Sequence, residues 1–172
     1  MDLTGVFLIF LALPVLLFPL MDDALSSSPP RRVEDVSDHV IICSFTQRIR
    51  RLIDELEELD VPYLVVESDR DEASDLIEDD IPVVHGDPEI KETLENAGIH
   101  DARALVADVG DEANASIALA ADQTLAGESV QVITFVENRE VAEYHRYAGA
   151  DYVFTPRELI GQSLASKVNT AL

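Results

Sequence analysis

Acidic residues follow four of the apolar runs in this sequence, and carboxylates at such positions can bind sugars or metal ions. They are Glu67, Asp87, Asp108 and Glu137. A carboxylate can accept hydrogen bonds from both hydroxyls of a ribose, and carboxylate oxygens are hard ligands that suit divalent cations. Acids after strands also commonly cap the helices that follow, and for Asp87 this capping role is an equal alternative.

The turn upstream of Glu67 decides which ligand this acid could serve. Glu67 follows the first apolar run, Val40–Cys43, at about the twenty-residue spacing of the ribose-binding acid in dinucleotide-binding βαβ units. The three glycines that hold a pyrophosphate in such units are replaced by Ser44, Thr46 and Ile49. A Cβ at Thr46 hinders close approach of a pyrophosphate, and Ile49 should push the helix away from the strand. The sequence therefore predicts a nucleotide-binding scaffold with a damaged phosphate cradle.

Arg48 stands at the start of the first helix and could supply a charge-assisted contact to a phosphate, with a solvent-facing arginine as the alternative. The candidate cofactor-binding residues are Ser44, Phe45, Thr46, Arg48, Glu67, Asp87 and Asp108. The candidate metal ligands are Asp108 and Glu137, whose oxygens could hold a cation that offsets their repulsion of a phosphate. We expect a mononucleotide (ATP or ADP) or a divalent cation, rather than NAD, as the ligand.

No pair of a nucleophile and a base stands out, so the sequence predicts no enzyme active site. None of the four histidines has a partner suggested by spacing: His39, His85, His100 and His145. The single cysteine, Cys43, lies in the first predicted strand, which excludes an internal disulfide and indicates a core residue.

Six apolar runs alternate with helical segments, which predicts an α/β fold, a doubly wound parallel sheet of the Rossmann-like type. The predicted strands are Val40–Cys43, Tyr63–Val66, Ile81–Val84, Ala104–Ala107, Val130–Val136 and Tyr152–Phe154. The first predicted helix carries the apolar residues Ile49, Leu52, Ile53, Leu56 and Leu59. The third predicted helix has Asp87 as its N-cap and Pro88 as its first residue, and it stops at Gly98. The other predicted helices are Asp71–Glu78, Asp111–Leu125, Asn138–Tyr147 and a last one that starts at Pro156. Ligands of such sheets bind outside the carboxyl ends of the strands, where the strand order reverses.

The N-terminal stretch Leu3–Met21 has no charged residue in 19 positions. As a helix it would be roughly 28 Å long, close to the hydrocarbon core of a bilayer at about 30 Å. A secretory signal is the alternative, but the start is not basic and no convincing cleavage site follows. Arg31 and Arg32 after the stretch favour a cytoplasmic domain. The predicted organisation is a transmembrane helix over 1–22, a linker over 23–36 and a Rossmann-like domain over 37–172.

The chain is strongly acidic, with 34 acids against 12 bases and a net charge of −22. Nucleic-acid binding is excluded as a function class because the charge has the wrong sign for phosphate contacts. The acids are spread along the whole domain, which is typical of a solvated surface that works in strong salt.

Four segments in this order resemble the RCK domain (regulator of potassium conductance, also called TrkA-N). They are HVIIC from His39, VVHGD at Val83–Asp87, ARALVAD at Ala102–Asp108 and AGADYVFTP at Ala148–Pro156. The resemblance covers His39 to about Leu164 and implies a cytoplasmic domain that binds nucleotides or cations, pairs through its last helices and gates a potassium channel or transporter. The family's glycines are absent here, which puts NAD binding in doubt.

The leading hypothesis is a membrane-tethered cytoplasmic regulatory domain of a potassium channel or transporter, single-pass in the cell membrane, that couples ligand binding to gating. These 172 residues contain no Thr-Val-Gly-Tyr-Gly filter, so the pore subunit of a potassium channel or transporter is the expected partner. A homodimer or higher oligomer is expected through the apolar stripe of the last helix, Leu159, Ile160, Leu164 and Val168. The alternatives are an NAD-dependent oxidoreductase or epimerase on the same fold, and an interaction module without a ligand.

Overall fold

The protein contains one six-stranded parallel sheet with helices on both faces. The computed structural model describes residues 36–156 and 160–161. The strands are β1 (His39–Cys43), β2 (Tyr63–Glu67), β3 (Val83–His85), β4 (Ala102–Ala107), β5 (Gln131–Phe135) and β6 (Tyr152–Phe154). The helices are α1 (Gln47–Glu58), α2 (Arg70–Glu78), α3 (Lys91–Asn96), α4 (Asp111–Leu125) and α5 (Ala142–Tyr147), with 3₁₀ turns at Ile99–Asp101 and Arg139–Val141.

The strand order is β3-β2-β1-β4-β5-β6, and every pair is parallel. The order reverses between β1 and β4, because the chain moves outward from β1 to β3 and then returns to the other side of β1. This doubly wound topology confirms the predicted Rossmann-like α/β class.

The central strand β1 is buried along its whole length because helices cover both faces of the sheet. Ile41 and Cys43 face one apolar cluster, which includes Leu94 of α3 and Ile117 of α4. Val40 and Ile42 face the other cluster, which includes residues of α1 and α2. The two clusters fix the positions of the strands and therefore of the loops at their carboxyl ends.

Side chains cap the helices at the carboxyl edge of the sheet. Thr46 is the N-cap of α1, and its hydroxyl accepts the N–H of Ile49. Asp69 is the N-cap of α2 and accepts the N–H groups of Asp71 and Glu72. These bonds satisfy orphan amides of the first helical turn and set the direction in which each helix leaves its strand.

The predicted start of the third helix is wrong. Asp87 and Pro88 do not begin it; α3 begins at Lys91. Asp87 instead heads a turn, in which its carboxylate accepts the N–H of Glu89 and its carbonyl accepts the N–H of Ile90. Because the Asp87 carboxylate is bonded within this turn, it does not cap α3, which begins later. The predicted stop at Gly98 is confirmed, because this residue adopts the left-handed conformation with φ of 72°.

Other element boundaries also differ from the sequence-based expectation, most of all those of the third strand and of the segment before α5. The third strand covers Val83–His85 rather than Ile81–Val84, and Pro82, which lacks an N–H for the ladder, lies just outside it. The segment predicted as one helix over Asn138–Tyr147 begins as a 3₁₀ turn and becomes α-helical only at Ala142. The bounds of α4 and β6 match the prediction.

The predicted transmembrane helix over 1–22, almost all of the linker over 23–36 and most of the last helix lie outside the described residues. Within 36–156 and 160–161, no helix is long and apolar enough to cross a membrane. Of the apolar stripe predicted for the last helix, only Ile160 is described, and it is exposed.

Candidate functional site

The register of three strands brings the candidate residues to one level of the sheet edge. Cys43 of β1 pairs with Val66 of β2 and with Ala107 of β4. The next residue of each strand is therefore Ser44, Glu67 or Asp108. These three residues meet at the point where the strand order reverses, which is where ligands of doubly wound sheets bind.

Ser44 retains the backbone conformation that a glycine would have at this position. Its φ is 69°, in the left-handed region that residues with a Cβ rarely adopt. The bond from its N–H to the carbonyl of Val66, at 2.8 Å, holds the turn in place. The chain thus keeps the sharp turn of a dinucleotide-binding unit although the glycine itself is missing.

Glu67 is buried at 3 % exposure, and both of its carboxylate oxygens are engaged by the protein. One oxygen accepts the N–H of Phe45 at 3.1 Å and the hydroxyl of Ser44 at 3.3 Å. The other accepts the N–H of Asp69 at 3.0 Å. A carboxylate has about four acceptor positions, so a ribose hydroxyl would have to share oxygens that already hold two turns together.

Asp108 is also buried, at 2 % exposure, and binds the opposite side of the β1–α1 turn. It accepts the Thr46 hydroxyl at 2.8 Å. Arg48 binds it in a bidentate manner, with Nε to Oδ2 at 2.9 Å and Nη2 to Oδ1 at 2.7 Å. The β1–α1 turn is therefore held between two carboxylates, Glu67 from β2 and Asp108 from β4.

Arg48 extends the network to the end of β5. Its Nη1 donates to Glu137 Oε1 at 2.8 Å, and its guanidinium lies 6.0 Å from the ring centroid of Phe135. Hydrogen bonds, first to Asp108 and then to Glu137, raise the pKa of Arg48 above its ordinary value. The side chain of Arg48 is therefore half-exposed, as the solvent-facing alternative expects, but it is also paired with two acids.

Two residues that the sequence reasoning missed fix the loops around Asp108 and Glu137. Asp111 accepts the N–H groups of Glu137 and Asn138 at 2.8 and 3.2 Å. Asn114, buried in α4, accepts the N–H of Val109 and donates to the carbonyl of Phe135, both at 2.8 Å. A polar residue among the alanines of an otherwise apolar helix face was the available signal for Asn114.

Two N–H groups of the phosphate cradle of a dinucleotide site are bonded to the protein's own side chains. The N–H of Phe45 is bonded to Glu67, and the N–H of Ile49 is bonded to the Thr46 hydroxyl at 3.3 Å. The side chain of Ile49 is fully buried in the core that α1 forms with the sheet. The internal partners of these two amides and the side chain of Thr46 at the turn both oppose the close approach of a pyrophosphate.

The crevice beside the turn is small. Ser44, Ser68, Asp87 and Val109 are among the residues that line a cavity of about 50 Å³. Pockets for drug-sized ligands measure about 300–1,000 Å³, so a nucleotide needs this edge to open. Asp87 is therefore near the other candidate residues, as predicted, but it also borders a second cleft of about 290 Å³ on the side of β3.

Asp108 and Glu137 converge as the sequence suggested, but on the guanidinium of Arg48. Among the described residues, no group of three or more acids, histidines or cysteines is arranged to hold a metal ion. Cation binding by Asp108 and Glu137 stays a prediction.

No histidine or cysteine of the described residues lines the cavity of about 50 Å³, although His85 lines the second cleft beside Asp87. His39 is buried, with its Nε2 at 2.9 Å from the carbonyl oxygen of Ala97. His145 is buried as well, with Nδ1 at 3.1 Å from the Thr134 hydroxyl, and burial lowers its pKa. Cys43 is a core residue, as predicted, and burial raises the pKa of its thiol.

Comparison with known proteins identifies the family. Residues 40–156 match the model of the TrkA-N domain. The chain belongs to the TrkA-N domain family. This confirms the resemblance seen in the four sequence segments.

Three relatives show where TrkA-N domains with similar sequences occur. Potassium channel protein 1 of Methanocaldococcus jannaschii is 23 % identical over 137 residues, which cover 78 % of this chain and 40 % of the channel protein. The structure of the GsuK channel bound to NAD superposes with a TM-score of 0.71 at 27 % identity, over 88 % of this chain and 27 % of that chain. GsuK bound to ADP gives a TM-score of 0.72 at 26 % identity, over 88 % of this chain and 42 % of that chain. This chain thus spans less than half the length of these relatives.

Proposed function

We propose that this TrkA-N domain is a regulatory domain of a potassium channel or transporter, which couples ligand binding to gating. The similarity to a potassium channel protein and to the GsuK channel supports a role beside a pore. The proposal includes a membrane tether over residues 1–22, a cytoplasmic domain and assembly into a dimer or higher oligomer. It assigns no catalytic activity to the domain.

The observation that carries the proposal is how the ligand edge is held together. The β1–α1 turn is joined to the ends of β2, β4 and β5 by polar bonds of Glu67, Asp108 and Arg48. Polar bonds can be exchanged for bonds to a polar ligand, whereas an apolar contact cannot. A ligand that replaces some of them would change the relative positions of four strand ends, which is the differential interaction that a shift between two states requires.

A mononucleotide or a divalent cation fits this edge better than a dinucleotide. GsuK has been solved with NAD and with ADP, so both classes are relevant to the family. In this chain two amides of the phosphate cradle, those of Phe45 and Ile49, are bonded to Glu67 and Thr46. The diphosphate of ADP is terminal, whereas that of NAD joins two nucleosides and must pass through the turn. ADP can therefore place its phosphates outside the cradle, where Arg48 offers a positive charge.

Titration calorimetry with the full-length protein in buffered high salt tests the ligand. We expect binding of ADP or calcium, and weak or absent binding of NAD. Micromolar NAD binding that survives Glu67→Ala would refute both the damaged cradle and the assignment of Glu67 to the ribose. Turnover of NAD with any small substrate would revive the oxidoreductase or epimerase alternative.

A second experiment tests the role beside a pore. A pore-encoding reading frame next to the gene would name the partner, and both proteins can then be placed in vesicles. We expect potassium flux to change when the ligand is added, and to lose that response when the domain is omitted. The tether is tested by fractionation: full-length protein in the soluble fraction without detergent would contradict the membrane helix.

An interaction module without a ligand is the second candidate. It is favoured by the cavity of only about 50 Å³ and by the internal bonds of the cradle amides. Absence of binding by ADP, NAD and calcium alike would leave this candidate in place of the ligand-coupled one.

A further inference from the structure

The guanidinium of Arg48 is shared by two carboxylates that differ in accessibility. Asp108 is 2 % exposed and makes two bonds to it, while Glu137 is 70 % exposed and makes one. Asp108 is further fixed by the hydroxyl of Thr46. Glu137 has no such support for its side chain, since Asp111 binds only the backbone N–H of that residue.

This asymmetry divides Arg48 into a fixed edge and an exchangeable one. The Nε and Nη2 edge lies against a buried acid, whose release would leave a buried charge without its partner, at a high cost. The Nη1 end is held by the exposed carboxylate of Glu137, and exposed ion pairs are weak. A guanidinium has N–H groups on all three nitrogens, more than these bonds use, so Arg48 retains capacity for a second anion.

We propose that Glu137 is a resident anion on Arg48, an autoinhibitory contact that a phosphate group of the ligand replaces. The inference rests on the proposed nucleotide-binding function and names how the same site is regulated. A phosphate offers more acceptor oxygens and more charge than a carboxylate, so it is the stronger partner for a guanidinium. The exchange releases the loop after β5 from the β1–α1 turn, while the two bonds to Asp108 keep Arg48 at the end of β4.

The exchange also explains which part of a ligand this edge recognises. The N–H groups of Phe45 and Ile49 already have internal acceptors. Arg48 lies at the junction of the β1, β4 and β5 ends and offers a positive charge there. The phosphate subsite of this proposal is therefore the Arg48 side chain. A free phosphate ion and the phosphates of a nucleotide share this chemistry, and the experiment must separate them.

The test uses the full-length protein with the variant Glu137→Gln, which removes the competing charge from an exposed position. Titration calorimetry at one fixed high salt concentration measures the Kd of ADP, inorganic phosphate and adenosine. We expect the Kd of ADP to fall about two- to fivefold, the range that corresponds to loss of one exposed ion pair. The Kd of adenosine should not change, because it has no phosphate. If Glu137→Gln lowers the Kd of inorganic phosphate as well as that of ADP, the free ion occupies the same subsite, which also supports the exchange.

Three further variants separate the loss of the Glu137–Arg48 contact from the change in the net charge of the protein. Glu143→Gln removes the same charge from an exposed residue of α5 that does not bind Arg48. Arg48→Gln should raise the Kd of ADP and leave the Kd of adenosine unchanged. Arg103→Gln should change neither, since Arg103 is equally exposed but pairs with Asp38 at the opposite end of β4.

Each outcome decides between the inference and the function beneath it. If wild-type protein binds ADP and Glu137→Gln binds it no more tightly than Glu143→Gln does, the autoinhibitory contact is refuted and the nucleotide function stands. An equal gain for adenosine would also refute it, because the effect would not involve the phosphate. If no variant binds any of the three ligands, both the inference and the nucleotide function fall.

Discussion

The carboxylate of Glu67 accepts the backbone N–H of Phe45 at 3.1 Å, so the acid that ends β2 binds the turn that follows β1. The spacing between them is that of the ribose-binding acid and the phosphate-binding turn of a dinucleotide site. In this chain Glu67 is hydrogen-bonded to the β1–α1 turn itself. The groups that would face the two halves of a ligand are thus bonded to each other.

This bond makes Glu67 a determinant of stability as well as a candidate ligand. Glu67→Ala leaves the N–H groups of Phe45 and Asp69 without their acceptor in a part-buried location. We expect the free energy of unfolding to fall by about 1–3 kcal/mol, the range for a buried donor left without an acceptor. Urea denaturation measures it. Glu67→Gln, which keeps one oxygen, should lose less, and the exposed Glu55→Ala should be nearly neutral; an unchanged Glu67→Ala would contradict the clamp.

Ser44 offers a second test, because it holds a glycine conformation with a serine side chain. Ser44→Gly removes the steric cost of the left-handed conformation and also the 3.3 Å bond to Glu67. We expect a net stabilisation of about 0.5–1 kcal/mol, since the left-handed region costs about 1–2 kcal/mol for a residue with a Cβ. Thermal unfolding at fixed salt measures it.

Ser44→Ala is the matched comparison, because it keeps the strain and removes only the hydroxyl. It should be equal to or slightly less stable than the wild type. If Ser44→Gly proved less stable than Ser44→Ala, the left-handed turn would carry no strain that a glycine relieves.

The strands and their order in the chain could be predicted because each is a short apolar run between polar turns. Burial of β1 on both faces leaves that mark directly in the sequence. A helix boundary could not be predicted where a local side-chain bond competes with the helix. At Asp87 the carboxylate bonds the N–H of Glu89 and delays α3 to Lys91, which the sequence pattern does not distinguish from a cap.

The candidate site could be predicted only as a set of residues at one edge. The partners of Arg48 are Asp108, 60 positions away, and Glu137, 89 positions away. Those pairings depend on the register of β1 with β4 and of β4 with β5, which no local pattern encodes. Arg48 was therefore predicted as a phosphate ligand or a solvent-facing residue, and its role as an ion-pair partner appears only in the folded chain.

The assembly prediction concerns residues outside the described part of the chain. The double variant Leu164→Glu and Val168→Glu places two charges on the apolar stripe expected at the dimer interface, and buried unpaired charges oppose association. We expect a monomer by sedimentation where the wild type is a dimer or higher oligomer. Leu59→Glu, at an exposed leucine next to α1, is the control and should leave the oligomer intact. A double variant that still sediments as a dimer would remove this interface.

His145 gives the protein a predictable response to pH. Burial lowers the pKa of His145 below its ordinary value, while the nearby Asp111 partly opposes that effect, and Nδ1 lies 3.1 Å from the Thr134 hydroxyl. In the unfolded chain a histidine has a pKa of about 6.5, so below that pH the unfolded state binds a proton that the folded state takes up less readily. Stability from this residue is therefore fully present above about pH 6.5 and is lost as the pH falls.

The measurement is the free energy of unfolding by urea between pH 7.5 and 5.5 for wild type and His145→Asn, which keeps a polar group near the Thr134 hydroxyl without titrating. We expect the wild type to lose stability more steeply below about pH 6.5, by at most about 1.4 kcal/mol per pH unit. Other groups titrate in both proteins and cancel in the difference. Parallel pH profiles would show that His145 accepts its proton in the folded protein as readily as in the unfolded chain, and the buried histidine would then carry no pH dependence.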